Sequence, residues 1–212
     1  MRRLGWKTTL ALTLAIFGIA IPPVARADAS YQDARVAAIM QRLADNPAAP
    51  DQYSADVSLH VRLRVFPWVS MTLHGSEIYK HPGFYHFVFR GVPKAAEHFS
   101  DMAYDAGDPV AWPEKYDVSY AGASQGRAIL HLVPKVDCNV KALDVTVFLE
   151  KTRLEKWVWS RKDGGTISVT QRYAVVQARD VVSAQDASIR IPHMAADLSA
   201  IYSNFALTQI DS

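Results

Sequence analysis

The seven histidines are the residues of this chain most able to do chemistry, since imidazole binds metals and moves protons near neutral pH. No two of them have the His-x-His or i, i+4 spacing of a metal site. His60 and His74 could face each other across a hairpin, but a metal site normally needs three or four convergent ligands. We therefore expect surface histidines and no metal site.

Nucleophilic chemistry lacks a recognisable motif in this sequence. Neither a Gly-x-Ser-x-Gly nucleophile motif nor a phosphate-binding loop occurs. The one cysteine, Cys138, lies in a predicted turn, without a basic partner or a helix start that would lower its thiol pKa. We expect no cofactor and no catalysis, because an enzyme here would need residues that converge from distant strands.

The first residues have the order of an export signal. A basic start precedes an apolar run over 10–21, two prolines and small residues up to Ala29. The run is too short to span a membrane comfortably, although an uncleaved anchor is the alternative. We expect residues 1–29 to be a cleavable signal peptide and 30–212 to form one domain. No cysteine follows the run, so we expect no lipid anchor.

Charge and cysteine content narrow the function further. The formal charge of the whole chain is +2, and removal of the predicted signal brings it to about −1. A nearly neutral protein has no electrostatic surface for nucleic acid. A lone cysteine cannot form an internal disulfide, so the hydrophobic core must hold the fold. We expect a soluble monomer that acts outside the cytoplasm.

Alternation of apolar and polar residues indicates a mostly β protein. Periodicity predicts helices at 30–43, 94–102 and 192–201, and about nine strands, at 53–65, 69–79, 84–90, 116–120, 127–133, 143–150, 154–161, 166–177 and 204–210. Short turns such as Asp163-Gly164-Gly165 join the strands into antiparallel hairpins. The predicted class is mainly β with a few helices (α+β), in which one curved antiparallel sheet forms an unclosed barrel with short helices over its concave side.

The strict alternation of two strands predicts which residues line the concave side. These residues are Val57, Leu59, Val61, Leu63, Val145, Val147 and Leu149. A curved sheet of this kind can enclose an apolar cavity, and we expect the set to form its wall. The alternative is that the same residues fill a solid core.

Phe66 and Trp68 lie at the reversal between the first two predicted strands. Pro67 between them excludes a central strand position, so this segment is an edge or a turn. Tryptophan suits a membrane interface, because it has an apolar body and one polar N–H group. We expect these side chains to form a tip for transient membrane or partner contact, unless other segments cover them.

The order of elements resembles the periplasmic outer-membrane lipoprotein carriers, the LolA/LolB-like proteins. The residues that carry the resemblance are the pattern Gly75-x-x-x-x-Lys80-His81-Pro82-Gly83-x-Tyr85 and, later, the Asp163-Gly164-Gly165 turn followed by Arg172-Tyr173. In that family an unclosed β-barrel with a helical lid shields acyl chains in a hydrophobic cavity. An arginine directly before the proline holds the lid there, whereas this chain has Lys80 and His81.

The resemblance implies a carrier in the periplasm. It would bind a lipid or the acyl chains of a lipoprotein without a cofactor, and would move them from an inner-membrane donor to an outer-membrane acceptor. Lys80 and His81 would make the polar contact between the hairpin and the covering helix. The alternatives are a regulatory or scaffolding module of the same fold that binds a protein partner, and an enzyme that acts on a lipid or envelope polymer.

Overall fold

The computed structural model describes residues 26–64, 70–92, 101–105, 108–192 and 194–208. Two helices occur in this part of the chain, α1 (Arg26–Ala44) and α2 (Trp112–Lys115). The strands are β1 (Gln52–Leu63), β2 (Ser70–Lys80), β3 (Phe84–Arg90), β4 (Asp101–Asp105), β5 (Tyr116–Ser124), β6 (Arg127–Pro134), β7 (Val140–Phe148), β8 (Arg153–Arg161), β9 (Thr166–Val176), β10 (Arg179–Ile191) and β11 (Met194–Thr208). None of the described helices is long and apolar enough to cross a membrane.

The strands form one antiparallel sheet of eleven strands in the order β4-β3-β2-β1-β11-β10-β9-β8-β7-β6-β5. The pairing of β1 with β11 joins the first and last strands in the middle of the sheet, in the register Leu59 opposite Ala200. The strands β4 and β5 are its two edges, so the barrel is not closed. The predicted fold class, a curved antiparallel sheet in an unclosed barrel with helices over it, is confirmed.

The tail differs from the prediction. A helix at 192–201 is wrong, because Met194–Thr208 is one continuous strand, and the unpredicted strand Arg179–Ile191 pairs with it. Alanine has a high helix propensity, but Ala196 and Ala200 are buried on the concave face in a strand. Pairing on both sides of the strand overrides local propensity here.

The middle of the chain also differs. Of the helix predicted at 94–102, residues 94–100 lie outside the described residues, and the rest begins the edge strand Asp101–Asp105. The first strand ends at Leu63 rather than at residue 65. The four-residue helix Trp112–Lys115 was not predicted, and its buried Trp112 packs into the core.

The core has two parts, which cover different halves of the concave face. One part packs α1 onto strands β5 to β8, and the helix contributes Val36, Ile39 and Leu43, all buried. Together with Met40, which packs against them, these residues recur at steps of three and four along the helix, the spacing of one helical face. The other part joins β1, β2, β3, β10 and β11 without a helix from the described residues. Helix α1 therefore fills one half of the barrel and leaves the other half less covered.

We expect Ile39→Ala to lower the free energy of unfolding by about 2 to 5 kcal/mol, because it removes buried methyl groups and leaves a cavity under α1. Gln41→Ala is the matched control on the exposed side of the same helix, and it should change stability by less than about 0.5 kcal/mol. Urea unfolding of the two variants measures the difference. Equal stabilities would show that α1 does not hold this half of the barrel together.

Candidate ligand-binding groove

An apolar groove, with a cavity of about 150 Å³, lies on the half of the concave face that α1 does not fill. Its lining consists of Val57, Leu59, Phe87, Phe89, Val169, Gln185, Ala187, Leu198, Ala200 and Tyr202. The strands β3 and β9 both contribute, although β2, β1, β11 and β10 lie between them in the sheet. The curvature of the sheet therefore brings the walls together and forms the groove.

Small residues make room for the aromatic wall of the groove. A Cβ atom at Gly75 would lie only 2.2 Å from the carbonyl oxygen of Val88 and 2.9 Å from Cδ1 of Phe89. Only glycine fits at this position of β2, because the backbone of β3 and the Phe89 ring lie directly against it. On the opposite side, Ala187 and Ala200 have short side chains, which leaves the cavity between them and the aromatic rings.

The predicted wall residues occupy two places. Val57 and Leu59 line the apolar groove, and Val61 and Leu63, half-buried, continue the same face toward the end of β1. The other three lie in the half filled by α1. Of these, Val145 and Val147 are fully buried in the core and Leu149 packs at its edge. Contact of any of these residues with a ligand stays a prediction.

His81 connects the hairpin between β2 and β3 to the end of α1. Its Nε2 donates a hydrogen bond to the carbonyl oxygen of Ala44, the last residue of the helix, at 2.8 Å. Because this nitrogen carries the proton in a neutral ring, Nδ1 is the acceptor, and the Tyr79 hydroxyl lies 3.4 Å from it. Lys80 is exposed and lies on the other face of the strand. Only His81 of the predicted pair therefore touches the helix in this way.

Further polar contacts hold the same end of α1. Arg42 Nη2 donates to the carbonyl oxygen of Leu149 at 2.9 Å, and Asn46 Nδ2 donates to that of Thr152 at 2.9 Å. The Arg179 guanidinium also donates to the carbonyl of Pro47, in the segment after the helix. These bonds satisfy carbonyl groups of two loops and fix the C-terminal end of α1 over the barrel.

Three other predictions concern the tip residues, a metal site and the cysteine. Phe66 and Trp68 lie outside the described residues. No cluster of three or more His, Cys, Asp or Glu side chains with metal-binding geometry occurs among the described residues. His60 lies opposite Thr72, with 3.2 Å between Nδ1 and Oγ1, and His74 is opposite Ser58. The one cysteine, Cys138, is exposed.

A buried polar cluster, formed by Tyr53, Glu77, Gln185 and Tyr202, lies beside the groove and was not predicted from the sequence. The Tyr53 hydroxyl donates to Oε1 of Glu77 at 2.9 Å, and the Tyr202 hydroxyl donates to Oε1 of Gln185 at 2.7 Å. Glu77 has no exposed surface. The alternation along β2 placed Glu77 on the apolar face, and this position was the one available sequence signal.

Burial raises the pKa of Glu77 from an ordinary value of 4.5 to about 7, and the nearby hydroxyl groups of Tyr53 and Tyr202 oppose part of that shift. Burial, and next the negative charge of Glu77, raise the pKa of the Tyr53 hydroxyl well above 10. Burial likewise raises the pKa of Tyr79. The tyrosines therefore stay protonated near neutral pH, whereas Glu77 changes charge there.

Solved structures with the same architecture come from three bacteria. A LolA superfamily protein from Nitrosomonas europaea is 7% identical with a TM-score of 0.57, covering 83% of this chain and 94% of that one. A DUF1329 family protein from Desulfovibrio piger is 12% identical with a TM-score of 0.55, covering 87% of this chain and 94% of that one. A domain named as an outer membrane lipoprotein-sorting protein from Vibrio parahaemolyticus is 8% identical with a TM-score of 0.60 (87% and 95% covered).

No protein-family model and no curated protein matches the sequence. The structural similarity nevertheless extends over nearly the whole length of each solved structure, so the chain has a LolA-like fold. The resemblance in element order is confirmed at the level of the fold. Identities of this size show the fold alone, and the ligand must be argued from the groove.

We expect the stability of the protein to fall as the pH rises from about 4.5 to about 7, owing to Glu77. In this window the folded protein holds a proton that the unfolded chain has released, so unfolding becomes more favourable as the pH increases. The full effect is on the order of 3 kcal/mol, at about 1.4 kcal/mol per pKa unit. Above the folded-state value the contribution is constant.

Urea unfolding between pH 4.5 and 8 tests this expectation. The stability of the Glu77→Gln variant should no longer fall over this pH range. The stability of Glu150→Gln, an exposed control, should fall as it does in the wild type. A wild type and a Glu77→Gln variant with the same pH dependence would contradict the assignment.

We expect His81→Ala to lower stability by about 1 kcal/mol, because the helix end loses one hydrogen bond. Amide hydrogen exchange should also become faster at the C-terminal end of α1. His74→Ala, which removes an exposed imidazole from the same strand pair, is the control. Unchanged exchange in the His81 variant would show that this contact does not hold the helix.

Proposed function

We propose that this protein is a periplasmic carrier that binds a lipid, or the acyl chains of a lipoprotein, in the apolar groove. The observation that carries the proposal is the cavity of about 150 Å³, whose lining among the described residues is apolar apart from Gln185 and Tyr202. Binding an acyl chain there would replace an apolar surface exposed to water with an apolar contact, which is favourable in proportion to the area covered.

The size of the groove favours a single chain. A dry cavity of about 150 Å³ in another protein binds one benzene molecule, so this cavity would take a short section of one acyl chain. A longer chain would continue along the half-buried face of Val61 and Leu63 at the end of β1. The apolar surface there is continuous with the groove, because Leu198 is opposite Val61 on the neighbouring strand.

The two halves of the barrel would have different roles in a carrier. The half under α1 is filled by side chains and would supply the stability of the fold. The half with the groove would open and close around the ligand. The His81 contact joins the turn between β2 and β3 to the end of α1. Strand β3 continues from this turn to the groove wall at Phe87 and Phe89, so the contact would transmit movement of the helix to that wall.

Transport would follow from export and from exchange of the ligand. The predicted signal peptide would take the chain to the periplasm as a soluble monomer without a lipid anchor. The carrier would receive its ligand from an inner-membrane donor and release it to an outer-membrane acceptor, with transient membrane contact through Phe66 and Trp68. The lipoprotein-sorting domain named above has the same fold. No catalytic step is needed for this role.

We expect Ala200→Phe to abolish ligand retention, because the added ring would occupy the cavity. Lipid that co-purifies with the wild type would be identified by mass spectrometry after delipidation, and N-phenylnaphthylamine fluorescence would report binding to the delipidated protein. The variant should bind this probe more than about tenfold more weakly. Ile201→Phe is the matched control, because Ile201 is the next residue along β11, lies on the opposite face and is 60% exposed.

Two results would count against the carrier. A folded Ala200→Phe variant that binds the probe as well as the Ile201→Phe control would remove the groove as the binding site. A wild type that co-purifies with a protein and never with lipid would instead favour the regulatory or scaffolding module.

A further inference from the structure

We propose that the polar cluster is the head-group end of the apolar groove, and that it selects single-chain amphiphiles with an uncharged head that both donates and accepts a hydrogen bond. A hydroxyl group is the simplest such head. This inference rests on the proposed function, since it names the chemical class of the ligand that the groove would hold.

The cluster is placed at the wall of the groove. Gln185 and Tyr202 both line the cavity, and Glu77 and Tyr53 lie behind them, almost wholly buried. Gln185 on β10 lies opposite Ala200 on β11, which lines the same cavity. An apolar chain in the groove would therefore bring its polar end against Gln185 and Tyr202.

The hydrogen bonds of the cluster are incomplete among the described residues. Nε2 of Gln185 and Oε2 of Glu77 are both buried and have no partner there. An unpartnered buried polar atom costs about 1 to 3 kcal/mol. The Gln185 amide can also be turned so that its nitrogen and oxygen exchange places. Nε2 then donates to the oxygen of the Tyr202 hydroxyl, and the proton of that hydroxyl can go to Glu77. In this orientation Oε1 of Gln185 has lost its partner. Either orientation leaves one amide atom of Gln185 available.

A hydroxyl group satisfies the cluster in both orientations. It accepts a hydrogen bond when Nε2 is the free atom and donates one when Oε1 is free. An alkane has neither capacity, so the amide atom of Gln185 would stay unpaired.

Charged heads fit the cluster less well. Among the described residues, the groove lining contains no basic side chain that could pair with a carboxylate. The ionised form of Glu77 would repel a carboxylate. An ammonium group would meet one carboxylate behind the wall, but it has three donors to satisfy in a groove with few acceptors. The raised pKa of Glu77 is consistent with a cluster that favours neutral groups.

Competition for the groove by ligands with the same saturated chain tests the proposal. Lauryl alcohol, laurate and laurylammonium would displace N-phenylnaphthylamine from the delipidated protein at pH 8. We expect lauryl alcohol to bind about three- to tenfold more tightly than either charged ligand, the range that one or two hydrogen bonds give.

Two variants connect the selectivity to the cluster. Gln185→Leu should weaken lauryl alcohol about three- to tenfold relative to N-phenylnaphthylamine, because it removes the hydrogen-bonding atoms and keeps an apolar side chain at the groove wall. Gln41→Leu makes the same chemical change on the exposed side of α1 and should alter neither affinity. Glu77→Gln removes the buried charge, so laurate should bind more tightly to it than to the wild type.

The outcomes separate the two proposals. If N-phenylnaphthylamine and all three ligands fail to bind, the groove is not a lipid site and both proposals are wrong. If the probe binds but the three heads compete equally, or a charged head competes best, the head-group inference alone is wrong. Selectivity for the alcohol that Gln185→Leu does not change also overturns it.

Discussion

In the described part of the chain, a sheet of eleven antiparallel strands presents one apolar face, and two helices are too few to cover all of it. This shortage of cover governs the rest of the described structure. Curvature reduces the exposed area, because strands that lie far apart in the sheet come to face each other. Helix α1 then covers the half formed by β5 to β8, where Val145 and Val147 are fully buried. The remaining half closes on itself incompletely and leaves the apolar groove.

The end of α1 lies where the two halves meet. His81 donates to the last carbonyl of the helix, and Tyr79, two residues earlier, stacks on Tyr53 with 4.9 Å between ring centroids. Tyr53 in turn donates to Glu77 in the polar cluster. A continuous series of contacts therefore runs from the covering helix to the wall of the groove, so displacement of one would disturb the others.

Glu77 is the feature that a purely structural core would not need. A buried carboxyl group destabilises the folded state whenever it is ionised, and replacement by an apolar residue would avoid that penalty. Its position beside the groove, together with the incomplete hydrogen bonds of Gln185, gives the described cavity one polar end. An amphiphile with its chain in the groove and its head at this end would satisfy both parts of the surface.

The sequence by itself determined the mainly β class, the apolar face of α1 and the alternation of β1 and β7, because these depend on periods of 3.6 and 2 along the chain. It also indicated the LolA-like order of elements. Periodicity cannot show which strands meet, so only the tertiary structure separated Val57 and Leu59 in the groove from Val145 and Val147 under the helix. The same limit explains the tail, where Ala196 and Ala200 have helical propensity but pair with β1 as a strand. The polar cluster joins β1, β2, β10 and β11, and its residues come together because the sheet pairs the first strand with the last.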